Sequence, residues 1–268
     1  MATGDGTVGK ALEVLDRVAG FGRPVRFSEL LAGSPYPKAT LYRLLQTLVH
    51  QRMLTYDADR AAYAPGIRLV RLAHNAWTHS TLAPIARQHL DALAAEIGET
   101  VHLAQLDHAQ VLYVDKRSSA VPVEMISQTG KVGPAYCTGI GKAMLAFLPL
   151  DLLDWVLSQQ SFHAFTAATI TSERALRREL EQIRAEGHAF DREEHEPGII
   201  CIAAPILTPK GGLLGGLSVT STTRRRDLDD LAPLAPRLKA TAVRIAADAE
   251  SWHFPDQTPK PLPGRTGT

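Results

Sequence analysis

The sequence predicts an α+β chain in two parts: an N-terminal winged helix-turn-helix and a larger C-terminal domain built on a mainly antiparallel sheet. Three observations predict it. Residues 26–63, RFSELLAGSPYPKATLYRLLQTLVHQRMLTYDADRAAY, order a short amphipathic helix, a tight turn, a helix with a polar leading edge and a small hairpin. Beyond them, strand-like runs and helices come in blocks, the pattern of an α+β domain. The length of 268 residues suits two domains of about 100–200 residues each.

The elements follow in order. Val8, Leu12, Leu15 and Val18 recur at helical spacing in a supporting helix that Gly20, Gly22 and Pro24 end. Ser28 can cap a short helix over 29–32, and Gly33-Ser34-Pro35 makes the turn. Pro37 suits the first turn of the next helix, where its missing N–H costs nothing. That helix runs to about Gln51 on a buried stripe of Leu41, Leu44, Leu45 and Leu48. Residues 54–56 and 61–63 pair as a hairpin through 57–60. A linker helix is expected over 67–77 and a longer one over 81–97, closed by Gly98.

Strands are expected over 101–106, 111–115 and 121–127, then helices over 141–147, 150–159 and 171–186, with Gly187 just past the last. Three more strands span 189–191, 199–207 and 213–220, the last two joined by Pro209-Lys210-Gly211-Gly212. The final helix, 228–252, carries an apolar seam that Pro233 and Pro236 would bend or restart. The Pro-, Gly- and Thr-rich end, 253–268, reads as a disordered tail.

Composition narrows the function classes. The 29 basic and 28 acidic residues balance to +1, so any basic face must be local. Two cysteines, Cys137 and Cys201, are too few for a disulfide framework and lack metal-type spacing, which fits a reducing, cytoplasmic setting. No apolar run of about 18 residues suggests a membrane span, and the start of the chain lacks the apolar core of a signal peptide.

Reading a major groove needs short polar side chains and long cations on the leading face of one helix. Lys38, Thr40, Tyr42 and Arg43 supply them, Arg60 at the hairpin tip could reach phosphate or a minor groove, and Ser28 at a helix start could help hold a phosphate. The bland rival is a solvated charged helix face or a protein-binding winged helix.

Other constellations carry less. Thr138-Gly139-Ile140-Gly141-Lys142 resembles part of a phosphate loop, but Tyr136 stands where a glycine is needed and Ala143 where Ser or Thr is needed. A sharp turn opening a helix, with N–H groups suited to an anion such as a carboxylate, is the better reading. Asp191, Glu193, Glu194 and His195 form an acidic cluster that reads as a solvated loop rather than a metal site. Cys201 with His195 offers an alternative of another class, an acyl-transfer hydrolase, although Cys201 lies within the apolar run IICIAAPIL and reads as a buried thiol. Arg224-Arg225-Arg226 reads as a solvated loop, with a phosphate contact as a lesser option.

These residues resemble a known family. VGKALEVLDRVA, PKATLYRLLQTLVHQRML and YAPGIRL are similar to the N-terminal half of the IclR-type bacterial transcriptional regulators. CTGIGKAMLA resembles the family's ATALGKALLA segment, and the pattern from Phe190 through Asp191, Glu193, Glu194, Gly198 and Cys201 to Pro205 resembles its most diagnostic signature. The resemblance spans roughly residues 7–252. It implies a winged helix-turn-helix DNA-binding domain over 7–66, a linker helix over 67–80 and a GAF-like effector domain with a six-stranded sheet over 81–252. It implies a ligand-responsive regulator, not an enzyme, that binds double-stranded operator DNA as a homodimer or homotetramer and responds to a small carboxylate. Its operon would serve small organic acids or aromatic compounds, and no cofactor or metal is implied. The effector pocket it implies is lined by Met125, Gly133, Gly139, Ile140, Asp191, Ile199, Cys201, Ser218 and Thr220. Two positions depart from the family: Ala39 stands where Ser is frequent in the reading helix, and Ile140 where a smaller residue is frequent.

Overall fold

The computed structural model describes residues 6–119, 125 and 127–251, which fall into two compact units divided after His79. The first opens with helix α1 (Gly6–Gly20), a two-residue strand β1 (Val25–Arg26) and helix α2 (Phe27–Ala32). Helix α3 (Lys38–His50) follows, then the hairpin β2 (Leu54–Asp57) and β3 (Ala62–Pro65), then helix α4 (Ile67–Ser80). The three strands form one antiparallel sheet, β1-β3-β2. Its core joins Val14, Leu15 and Val18 of α1 to Leu30, to the α3 stripe Leu41, Leu44, Leu45 and Leu48, and to Leu54 and Tyr63 of the hairpin. Each such leucine contributes roughly 1.5–3 kcal/mol by leaving water, so α3 is held by one face while its other face stays in solvent.

One local expectation fails here. Ser28 does not cap α2; it is the helix's exposed second residue, because the helix already starts at Phe27. The Arg26 N–H is bonded instead by the Glu29 carboxylate at 3.0 Å, and Glu29 is in turn paired with Arg23.

The second unit begins with helix α5 (Ala83–Ile97), closed by Gly98 at φ +72°, a left-handed position that favours glycine. Strands β4 (Thr100–Asp107), β5 (Gln110–Arg117) and β6 (Val132–Pro134) come next, then helices α6 (Gly139–Leu145), α7 (Leu150–Ser158) and α8 (Glu173–Glu186). Ser172 caps α8 through the Ala175 N–H, and Gly187 at φ +70° ends it. Strands β7 (Ala189–Arg192), β8 (Ile199–Leu207) and β9 (Leu213–Thr222) complete a six-stranded antiparallel sheet of order β6-β5-β4-β9-β8-β7. The chain ends in α9 (Leu228–Leu231), a 3-10 turn over Ala232–Leu234 and α10 (Ala235–Asp248). Pro233 and Pro236 sit in the first turns of their segments and restart the helix rather than bend it.

Helices α5 and α10 pack on one face of the sheet and α6 on the other, with α8 against α6. Close approach of α6 is allowed by Gly216, where a methyl group would lie 2.8 Å from Ile140 Cγ1. Most of the strand expected over 121–127 lies outside the described residues; Ser127 itself is in no strand, and the edge of the sheet is formed by residues 132–134. No helix among the described residues is long and apolar enough to cross a membrane.

A β-bulge shapes the sheet beside the edge. His102 pairs with Lys116 and Leu103 with Asp115, but Ala104 pairs with Tyr113, so the register slips by one between Leu103 and Ala104. Directly opposed residues share a face. Val114 is therefore the extra residue, and Tyr113 and Lys116 both lie on the face of His102 and Ala104. Without the slip, two residues three apart in a strand would point to opposite faces.

Candidate functional site

In the first unit, Lys38, Tyr42 and Arg43 lie exposed on α3, Thr40 is half-buried, and Arg60 is exposed in the β2–β3 turn. The burial pattern explains the arrangement: four leucines anchor α3, so the positions between them face water. Arg60 is loosely held, 3.8 Å from Asp57 at an exposed site, a pairing worth little. Sequence periodicity does not reveal the aromatic cleft beside these cations. Phe27, Lys38, Ala39, Tyr42, Tyr56, Ala61 and Tyr63 line it. Tyr42 meets Phe27 edge-on at 6.2 Å, and Tyr56 lies 4.8 Å from Tyr63 because the two are opposed in the hairpin register.

In the second unit a small pocket lies on the sheet face that carries α6. It is lined by His102, Tyr113, Ser127, Thr138, Gly139, Ile140, Asp191, His195, Glu196, Ile199, Cys201, Ser218 and Thr220, and its volume is about 30 Å³. The pairing of the strands gathers them: His102 is opposite Ser218, Cys201 opposite Thr220, and Asp191 opposite Cys201. Seven of the nine residues expected from sequence line this pocket. Met125 is buried but does not line it, and Gly133 lies behind Tyr113, where a methyl group would sit 3.5 Å from the ring. His102, Tyr113, Ser127, Thr138, His195 and Glu196 fall outside the expected set. The signal for His102 and Tyr113 was a polar residue at an inward position of an apolar strand, VHLAQL and QVLYV.

His102 is the polar centre of the pocket. Its Nε2 is 3.0 Å from Ser127 Oγ, its Nδ1 is 3.3 Å from Thr220 Oγ1, and Tyr113 packs edge-on at 5.5 Å. Asp191 sits at the opening of α6. Its carboxyl accepts the Glu194 N–H at 2.8 Å, and the nearby Gly139 N–H favours its charged form. That N–H matters, because it belongs to the helix-opening groups that the sequence assigns to a ligand carboxylate.

The neighbouring acidic cluster is not a solvated loop. Glu194 is buried and ion-paired with the fully buried Lys142, which also reaches Glu179 at 3.2 Å. Glu193 accepts the Gly198 N–H at 2.6 Å, and Thr166 and Thr169 donate to the Glu193 and Glu194 carbonyls. The turn is fixed by its own carboxylates because burying them unpaired would cost several kcal/mol each. Among the described residues, no group of three or more His, Cys, Asp or Glu is placed to hold a metal ion. Arg225 and Arg226 are likewise not a solvated pair, since both bind the buried Glu99. For Cys201, burial and then Asp191 push the thiol pKa well above its ordinary value; Cys137 is pushed up to about 12 by burial and then Asp191. A thiol that stays protonated at neutral pH is a poor nucleophile, which removes the basis for the hydrolase alternative.

Two pocket groups give opposite pH dependences. Burial, and then Lys116, lower the His102 pKa from 6.5 to about 3, so below pH 6.5 the unfolded chain binds a proton the folded chain refuses. This contribution to stability falls as pH falls. Burial, opposed by the Glu194 N–H, raises Asp191 from 3.8 to about 7, so over that interval the folded chain holds a proton the unfolded chain releases. This contribution grows as pH falls, and the two offset each other between about pH 4 and 6.5. Asp191→Asn removes one side. Between pH 6.5 and 5 the variant should lose roughly 1–2 kcal/mol more than wild type, at up to about 1.4 kcal/mol per pH unit. Urea midpoints measured across that range check this; parallel profiles would show that Asp191 does not titrate as described.

Comparison with known proteins places both units. Residues 74–247 match the family described as Bacterial transcriptional regulator IclR C-terminal, and residues 7–58 match the IclR helix-turn-helix domain. The HTH-type transcriptional regulator KdgR of Escherichia coli (strain K12) is 30% identical over 251 residues, 93% of this chain and 95% of that protein. The Transcriptional repressor IclR of the same organism is 29% identical over 218 residues, 81% of this chain and 80% of that protein. Among solved structures, the crystal structure of the Thermotoga maritima IclR aligns with a TM-score of 0.71 at 31% identity, covering 90% of this chain and 97% of that one.

Proposed function

The chain belongs to the IclR family of bacterial transcriptional regulators, and on that footing we propose that a small carboxylate bound in the pocket of the second unit sets its affinity for operator DNA. It is a DNA-binding transcription regulator. The observation that carries the effector reading is the pocket itself: buried hydroxyls of Ser218 and Thr220 and the buried His102, enclosed with Ile140 and Ile199 on a sheet face. A few polar groups converging on an enclosed space with apolar walls are what orients a small polar ligand.

In this reading residues 7–66 bind DNA, residues 67–80 link, and residues 81–252 sense the effector. Lys38, Thr40, Tyr42 and Arg43 enter a major groove, Arg60 takes phosphate or the minor groove at the wing, and the exposed Ser28 contacts phosphate. The cleft of Phe27, Tyr42, Tyr56 and Tyr63 offers apolar surface beside the cations for a thymine methyl or a deoxyribose. The regulator acts in the cytoplasm as a homodimer or homotetramer on a roughly palindromic site, and its operon handles small organic acids or aromatic compounds. Control requires the effector to prefer one arrangement of the DNA-binding heads, since equal affinity for both would shift nothing.

Arg43→Ala should weaken binding to the chain's own upstream DNA by roughly 1–3 kcal/mol, about 5- to 150-fold. Arg178→Ala removes an equally exposed cation from α8 in the second unit and should leave the affinity unchanged. Equal losses in the two variants, read by fluorescence anisotropy at fixed salt, would mean that α3 is not the reading helix.

A further inference from the structure

We propose that Ala39 and Tyr42 of α3 seat the C5-methyl group of a thymine, which makes Ala39 a position that sets sequence preference. This deepens the reading of α3 as the helix that enters the major groove, and rests on it.

Placement comes first. Ala39 is the exposed second residue of α3, and Tyr42 stands three residues on, so the two share one side of the helix. Leu41, Leu44, Leu45 and Leu48 hold the opposite side in the core. In a helix-turn-helix the first residues of the reading helix are the ones that meet base edges. Lysine and arginine read guanine there, and the serine or threonine hydroxyl bonds either base of a pair; the alanine side chain carries no donor and no acceptor. An apolar group is all it discriminates, and the edges of the major groove present one, the thymine methyl.

The surroundings build the seat. Tyr42 is 53% exposed, yet its ring is steadied by Phe27, edge-on at 6.2 Å. Tyr56, packed 4.8 Å from the buried Tyr63, brings a second exposed ring to the same cleft. Lys38 lines the cleft too, and no acidic side chain is among the described residues that line it. Arg43, next to Tyr42, and Arg60 in the hairpin turn are exposed cations. Rings bordered by cations match a duplex, whose backbone is anionic and whose thymine edge is apolar. Deoxyribose is the poorer occupant. It lies with the phosphates, whereas Ala39 is on the turn of α3 that leads into the groove.

The test uses the full chain and three duplexes of its own upstream DNA, made with thymine, with uracil in its place, or with 5-bromouracil. Affinities are read by fluorescence anisotropy at fixed salt. Uracil keeps every hydrogen-bonding group and lacks the methyl, so wild type should bind that duplex about 4-fold more weakly for each methyl group it covers. Bromine, close to methyl in size, should restore most of the loss. Ala39→Ser and Tyr42→Ala should each bring the thymine-to-uracil ratio towards 1, and Tyr42→Phe should keep it. Because the DNA is the same for every variant, effects of uracil on the duplex itself cancel. Arg43→Ala should weaken the thymine and uracil duplexes alike. Equal wild-type binding to those two duplexes, with Arg43→Ala still weakening both, overturns the methyl seat and leaves α3 as the reading helix. A ratio that persists in both Ala39→Ser and Tyr42→Ala also overturns the seat, since the methyl is then read elsewhere. Equal binding together with indifference to Arg43→Ala overturns the seat and the reading of α3 together. Melting of the free variants separates lost contact from lost folding.

Discussion

Replacing Lys142 by methionine should lower the unfolding free energy of the second unit by about 3–5 kcal/mol. Lys142 is wholly buried and ion-paired with Glu194, itself buried, and with Glu179. Methionine keeps the volume and removes the charge, so the Glu194 carboxylate is left in the interior without its partner. The loss comes mainly from that stranded acid. The double variant Lys142→Met/Glu194→Leu should therefore recover most of it, because a buried pair replaced by apolar groups of similar size is often near neutral. Glu179 retains Arg192 at 2.8 Å and is not stranded. A unit of this size shifts by roughly 2–4 °C per kcal/mol, so the single variant should melt some 6–20 °C lower. Equal destabilisation in the single and double variants would mean that packing, not charge, holds this position.

Gly141→Ala should cost about 3 kcal/mol, the upper end of the usual range for overfilling a packed interior. A methyl group there meets the Ala135 carbonyl oxygen and lies 2.6 Å from Thr138 Oγ1 and 2.7 Å from Ala135 Cα. Two of these three contacts are to backbone, which cannot rotate away, and the third is the hydroxyl that caps α6. Gly139→Ala is a milder companion. Its methyl would lie 2.6 Å from Cys201 Sγ, a side chain, so Cys201→Ala should relieve part of the strain. Denaturant midpoints of the variants rank these effects; a wild-type midpoint for Gly141→Ala would show that the turn relaxes in a way the packing does not suggest.

Those two glycines show how the sequence informs and misleads. Their spacing with Lys142 resembles a phosphate loop, yet each is accounted for by a neighbour, and the lysine points into a buried acid rather than at a ligand. Elements set by periodicity were legible. The leucine stripe of α3, the hairpin of 54–65, the left-handed glycines ending α5 and α8, and the pair β8 and β9 all follow from local pattern. Features set by long-range pairing were not. The edge strand 132–134 is three residues held by β5, too short to carry a pattern of its own. Ser28 looked like a cap because the helix start at Phe27 is fixed by packing and by Glu29, not by the serine. His102 and Tyr113 share a face through register and a bulge, and Ser127 meets them from a loop, none of which leaves a mark on a window of sequence.

The one-residue slip in β5 has a consequence for how such a sensor can diverge. Deleting Val114 would restore regular pairing with Tyr113 still opposite Ala104 and Lys116 still opposite His102, so both would keep the face they share. A single lost codon would thus straighten the strand without carrying either side chain to the other face. Length changes at this one point of the strand can therefore accumulate without rebuilding the wall.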